Sequence, residues 1–145
     1  MLIMIVTFCG HSDFIATKEH ENRILSILEK EVGNETAELF LGEYGSFDKL
    51  AYQCAKKYKA LHSNVALVYV TPYLENINDD IKNRYDRIIY PEIEKIPKKL
   101  AIIYRNRYMI EQSDIVISYV YREYGGAYKS YVLAKKKNKI IYNLI

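Results

Sequence analysis

Gly10, Gly42, Gly45 and the pair Gly125-Gly126 each follow a short apolar run and precede an amphipathic stretch; they are five of the six glycines in the chain. A glycine loop that leads into a helix N-terminus presents unpaired N–H donors and the positive end of a dipole, an arrangement that suits phosphate. His11 and Ser46 stand in the same loops. His11 could touch a phosphate or a base, or hydrogen-bond its own turn. Arg105 and Arg107 supply the planar fork that matches a phosphate or carboxylate. Helical spacing places Arg105 on one face with Tyr108, Met109 and Gln112, and turns Arg107 elsewhere. Tyr44, Tyr108 and Tyr128 are the candidates for stacking on a base.

Acid–base chemistry is less visible. Glu43, Asp48 and Asp13 are the acids nearest these loops; Asp48 reads as a helix N-cap and Glu43 as a solvated loop residue, so both are weak catalytic candidates. His11, His20 and His62 have no carboxylate or cysteine partners at metal-ligand spacing. No metal and no cofactor is expected.

The elements that must carry these residues alternate along the chain. Leu2–Phe8, Thr36–Leu41, Asn64–Thr71, Asp114–Tyr119 and Lys139–Leu144 are apolar runs of strand length. Helical periodicity spans Thr17 to about Val32, Asp48 to about Leu61, Lys98–Gln112 and Ala127–Lys137. Tyr73–Lys98 breaks the rhythm with Pro91, Pro97 and one β-branched stretch, Arg87–Tyr90. It reads as a strand-like or irregular excursion with a helical turn, and as a flap over the ligand edge. Strands alternating with helices are the signature of right-handed βαβ units. The fold class is therefore α/β: a Rossmann-like three-layer sandwich with a mostly parallel central sheet flanked by helices, forming one domain over residues 1–145. In such sheets the strand-to-helix loops share one edge, and ligands bind there.

Composition narrows the function classes. Half of the 145 residues are apolar and 27% are charged, a globular balance. Twenty-one basic against 18 acidic residues leave a net charge of +3. With no basic stripe, that argues against a nucleic-acid partner. The run Lys135–Lys137 with Lys139 closes a helix, where cations suit the dipole. Cys9 and Cys54 form no disulfide framework. Met1–Val6 is too short for a signal h-region or a membrane span. A soluble cytoplasmic protein is expected. Fifteen tyrosines and no tryptophan put many amphipathic rings at the core margin or in a cleft.

As a set, Phe8–Phe14 (FCGHSDF), Gly42–Asp48 (GEYGSFD), Arg105–Ile110 leading to Ser113-Asp114, Gly125–Tyr128 and Ala134-Lys135 resemble the SLOG superfamily. That superfamily is named for the Smf/DprA DNA-processing proteins and the LOG cytokinin-activating phosphoribohydrolases; the chain looks like its small stand-alone members common in Firmicutes. The resemblance covers nearly the whole chain. It implies nucleotide or nucleotide-derived ligands at the glycine loops, and by analogy pairing as a homodimer. Ser12 stands where small relatives usually have arginine, and Glu43 where they have a second glycine. The LOG stretch Gly-Gly-x-Gly-Thr-x-x-Glu is met here by Tyr128, Lys129 and Val132 at its third glycine, threonine and glutamate. A valine can neither move a proton nor steady a cationic sugar. The expectation is thus a binding or sensing domain for a nucleotide-like small molecule. A LOG-like N-glycosidase and a single-stranded-DNA binder are the alternatives, and a flavin binder is permitted by fold class alone.

Overall fold

In a computed structural model that describes residues 3–145, the alternation becomes six strands and five helices. The elements are β1 (Met4–Gly10), α1 (Lys18–Glu31), β2 (Ala37–Leu41), α2 (Gly45–Leu61), β3 (Val65–Val70), α3 (Asp79–Arg84), β4 (Arg87–Ile89), α4 (Ala101–Gln112), β5 (Ile115–Tyr119), α5 (Gly126–Lys136) and β6 (Ile140–Asn143). All pairings are parallel and the strand order is β4-β3-β2-β1-β5-β6. The expected architecture holds, with a sheet that is wholly rather than mostly parallel. Leu2, placed in the first strand from sequence, lies outside the described residues.

Strand alternation sends the side chains of β1 to two layers. Val6 and Phe8 pack with Ile24 and Leu28 of α1 and Phe47 and Ala51 of α2. On the opposite face, Ile5 joins a cluster around Phe40, Val68 and Met109 of α4, while Cys9 meets Ile110 and Ala134 of α5. Each helix is thus held by one apolar stripe against one face of the sheet. The direction of chain growth reverses between β1 and β5, so the loops after these strands diverge and leave a crevice between them.

Two expectations fail here. Asp48 is not an N-cap: α2 begins at Gly45 with Tyr44 as its cap residue, and Asp48 sits one turn in, its carboxylate accepting the Tyr44 N–H at 2.9 Å. Gly45 can start the helix early because it holds φ +86°, a conformation side chains resist. Nor is Tyr73–Lys98 a flap. Its β-branched stretch becomes β4, which adds to the sheet edge beside β3, and Asn78 caps α3 by accepting the Ile81 N–H. No residue of 73–98 lines the cleft described next.

Candidate functional site

A cleft of about 250 Å3 opens at the carboxyl ends of the strands, between the β1 and β5 loops and the first turns of α4 and α5. Its volume lies just below the usual range for small-molecule sites, about 300–1,000 Å3. Of the residues singled out in the sequence, Gly10, His11, Gly42, Tyr44, Asp48, Arg105, Gly125 and Gly126 line it. Their roles divide sharply.

On the β2 side the polar groups satisfy one another. Arg105 projects from α4, is 1% exposed, and donates through Nη1 to the carbonyls of Gly42 (2.9 Å) and Val70 (2.6 Å), while Nε donates to Asn106 Oδ1 at 2.9 Å. The guanidinium clasps the ends of β2 and β3 through Nη1 and Nε, and only Nη2, which makes no hydrogen bond within the protein, is left to a ligand. Ser46 ties the α2 start to the first loop: its N–H and hydroxyl reach the Ser12 carbonyl at 3.0 and 2.9 Å, and the hydroxyl also meets the Phe14 carbonyl. Two glycines are required by packing rather than by an anion. A Cβ on Gly10 would stand 2.3 Å from the Phe47 ring, and one on Gly45 would stand 2.7 Å from Ser12. Neither Gly45 nor Ser46 lines the cleft.

Glu43 leaves the site altogether. It takes φ +54°, and its carboxylate pairs with Arg84 at 2.7 and 3.2 Å and accepts the Tyr85 hydroxyl. Although desolvation works against the charge, these donors hold its carboxyl below the usual range. Asp48 behaves oppositely. Burial pushes its carboxyl up to about 7, outweighing the pull of Arg105 and of the Tyr44 N–H. The two acids that looked alike in sequence are therefore an engaged ion pair outside the cleft and a carboxyl of shifted acidity inside it.

His11 is 2% exposed and structural in its bonding: Nε2 accepts the Tyr121 N–H at 3.1 Å, and the ring meets Tyr121 edge-on at 4.7 Å. Desolvation, helped by Arg122, lowers its pKa, so the neutral ring carries its proton on Nδ1. Arg107 is exposed and lies over the Tyr104 ring at 5.1 Å, in a second cavity of about 280 Å3 that adjoins the cleft and shares Ile103, Asn106, Gly126 and Ser130 with it. Of the three stacking candidates, Tyr44 is 54% exposed at the rim; Tyr108 stacks parallel on Phe40 in the core, and Tyr128 lines neither cavity.

The β5 side is open. Gly125 holds φ +94° with nothing within 4 Å of where its Cβ would be, and no side chain caps α5. The Lys129 N–H turns back to the Gly125 carbonyl, while the preceding amides of Gly126, Ala127 and Tyr128 make no such bond. Arg122, in the loop between β5 and α5, lines the same cleft, and sequence reasoning passed it over. Its Nη1 reaches Asp13 (3.1 Å) and the Tyr121 hydroxyl (3.0 Å), and the guanidinium rests against Tyr121 and Tyr124 at 5.4 and 5.0 Å. Its Nε is buried without a partner. The available signal was an arginine between two tyrosines immediately ahead of a glycine pair. Cys9 also lines the cleft; burial pushes its thiol up to about 12, so it remains protonated and is no nucleophile. Among the described residues no three His, Cys, Asp or Glu side chains gather to hold a metal, and no helix is long and apolar enough to cross a membrane.

The same fold recurs in solved structures. DNA processing protein A from Helicobacter pylori, which binds single-stranded DNA, aligns with a TM-score of 0.63 and 20% identity over 95% of this chain and 63% of that one. Its Streptococcus pneumoniae counterpart gives 0.67 and 14% over 97% of this chain and 50% of that one. The molybdenum cofactor binding protein of Rippkaea orientalis gives 0.62 and 18% over 97% and 76%. Both groups carry SLOG-type folds. The chain thus spans about half to two-thirds of the DNA-processing proteins that it matches. No family model and no curated protein matches it.

Proposed function

We propose that the chain is a SLOG-like domain that binds or senses a nucleotide or nucleotide-derived small molecule. Its phosphate sits on the free amides of α5, in the cleft that Arg122 also lines. The observation that carries this reading is the uncapped α5 N-terminus at Gly125, open to a cleft at the switch point of a parallel sheet. The fold shared with a molybdenum cofactor binding protein supports a small-molecule ligand. Single-stranded DNA fits less well. A strand needs several cations along one groove, and the cleft offers Arg105, which is buried, and Arg122.

Calorimetry against nucleoside mono-, di- and triphosphates, with molybdenum cofactor and an oligodeoxynucleotide as further arms, tests the proposal. Binding of a mononucleotide tighter than about 1 mM, roughly 4 kcal/mol, is expected. Weaker binding across the nucleotide panel sinks it.

One observation favours a second reading, N-glycosidic cleavage. A carboxyl titrating near neutrality, Asp48, lines the same cleft and could deliver a proton to a departing base. Free base released from AMP by the protein, and lost in Asp48→Asn, is the outcome that reading requires.

A further inference from the structure

Arg23, Arg84, Arg87, Arg105 and Arg122 each donate at least one hydrogen bond within the protein. Among the described residues Arg107 donates none, pairs with no acid, and rests only on the Tyr104 ring. It lines the second cavity, which lies between Ile103, Asn106 and Arg107 of α4 and Lys129, Ser130 and Leu133 of α5. No acid lines that cavity, and Lys129, which is exposed, makes no ion pair among the described residues either. Ile103 is 39% exposed and Leu133 is half-buried, so apolar surface stands uncovered beside two cations that nothing neutralises. Where the cavity meets the cleft, a donor is already oriented. Asn106 Oδ1 accepts from Arg105 Nε, which turns Nδ2 away, to 3.9 Å from where a Gly126 Cβ would stand. That Nδ2 donates to nothing among the described residues.

We infer that this second cavity is a binding site for a small carboxylate with an apolar body, an aromatic or branched-chain acid. An apolar cavity of about 150 Å3 takes a benzene ring. At about 280 Å3, this one takes a ring or a branched alkyl group with its acid attached. The body lies on Ile103 and Leu133 and along the aliphatic stems of the two cations. The carboxylate is held by the Arg107 fork and the Lys129 ammonium, with Asn106 Nδ2 as a further donor. A phosphate dianion fits worse, because apolar walls leave its second charge desolvated without compensation. The site uses neither the α5 amides nor Arg122, so it stands apart from the nucleotide reading.

The test is an NMR titration of the nucleotide-free chain with phenylacetate, acetate and phenylacetamide. Phenylacetate is expected to bind with a dissociation constant below about 1 mM. It should shift the Lys129 amide and the Leu133 methyls, which line this cavity and not the cleft, together with the Asn106 side-chain amide. Acetate lacks the body and phenylacetamide lacks the charge; each is expected to bind at least tenfold more weakly. Arg107→Gln is expected to weaken phenylacetate at least tenfold while melting at the wild-type temperature, because the guanidinium bonds to nothing in the protein. Lys129→Gln removes the second cation from the other helix and is expected to act in the same direction. Phenylacetate that leaves Lys129 and Leu133 unmoved overturns the site. So does equal affinity for acetate or phenylacetamide, or full phenylacetate affinity retained by both variants. None of these results alters the nucleotide reading, which the calorimetry above tests separately.

Discussion

The two sides of the cleft use the same kinds of residue to opposite ends. On the β2 side, an arginine, a serine and two glycines close the protein upon itself: Arg105 clasps two carbonyls, Ser46 ties two loops, and Gly45 is glycine because Ser12 is in the way. On the β5 side, an arginine and a glycine pair stand at the same edge with capacity to spare. The α5 amides are uncapped, Arg122 keeps 22% of its side chain exposed, and nothing crowds Gly125. A glycine loop or an arginine at the ligand edge is thus informative only once its own hydrogen bonds have been counted. Satisfied groups hold the rim rigid, and unsatisfied ones are available to a ligand.

Substitutions on the two sides should separate stability from binding. The largest effect is expected for Arg105→Ala, which strands two buried carbonyls and opens a void. A loss of about 3–5 kcal/mol in urea unfolding follows, and Arg105→Lys recovers little of it because an ammonium lacks the fork. A loss below about 1 kcal/mol would erase the distinction between the two sides. Next comes a matched pair of glycine replacements. Gly45→Ala combines a strained φ with overlap against Ser12 and is expected to cost about 3 kcal/mol. Gly125→Ala meets only the backbone strain, about 1–2 kcal/mol, yet weakens nucleotide binding tenfold or more by the same calorimetry.

Asp48 gives the next effect, in pH dependence. Its carboxyl titrates at about 7 in the folded protein, against about 4 in an unfolded chain, so between those values the folded state holds the extra proton. Its contribution is complete below about pH 4 and is lost as pH rises through 7. Wild-type stability should therefore fall across that window relative to Asp48→Asn, measured by thermal unfolding at each pH. A parallel pair of curves would show that the carboxyl is not shifted. The smallest effect is expected for Glu43→Gln. It weakens a surface ion pair by about 0.5–1 kcal/mol and leaves ligand affinity unchanged, because Glu43 lies outside the cleft.

Much of the fold was legible because its signals are local. The run through Val6 and Phe8, the helical repeat of Ile24 and Leu28, and Gly33 after it are periodicities that survive any tertiary arrangement. The irregular segment was legible in part: its β-branched stretch and helical turn are β4 and α3, but that Arg87–Ile89 pairs with β3 instead of covering the ligand edge is decided by the free edge that β3 offers. Asp48 was misread for a related reason: it has the chemistry of a cap, but the helix start is decided by Gly45 and by the contact with Ser12.

The amino-acid sequence alone determined that parallel βαβ units would bring five glycines to one edge, because the strand and helix periods and the handedness of crossovers are properties of the local chain. Which arginine faces the cleft and which acid is free were decided only by the tertiary structure. Arg105, Arg107 and Arg122 are chemically identical side chains. Their difference is in what the packing places beside each: the Gly42 and Val70 carbonyls at Arg105, the Asp13 carboxylate at Arg122, and the Tyr104 ring alone at Arg107.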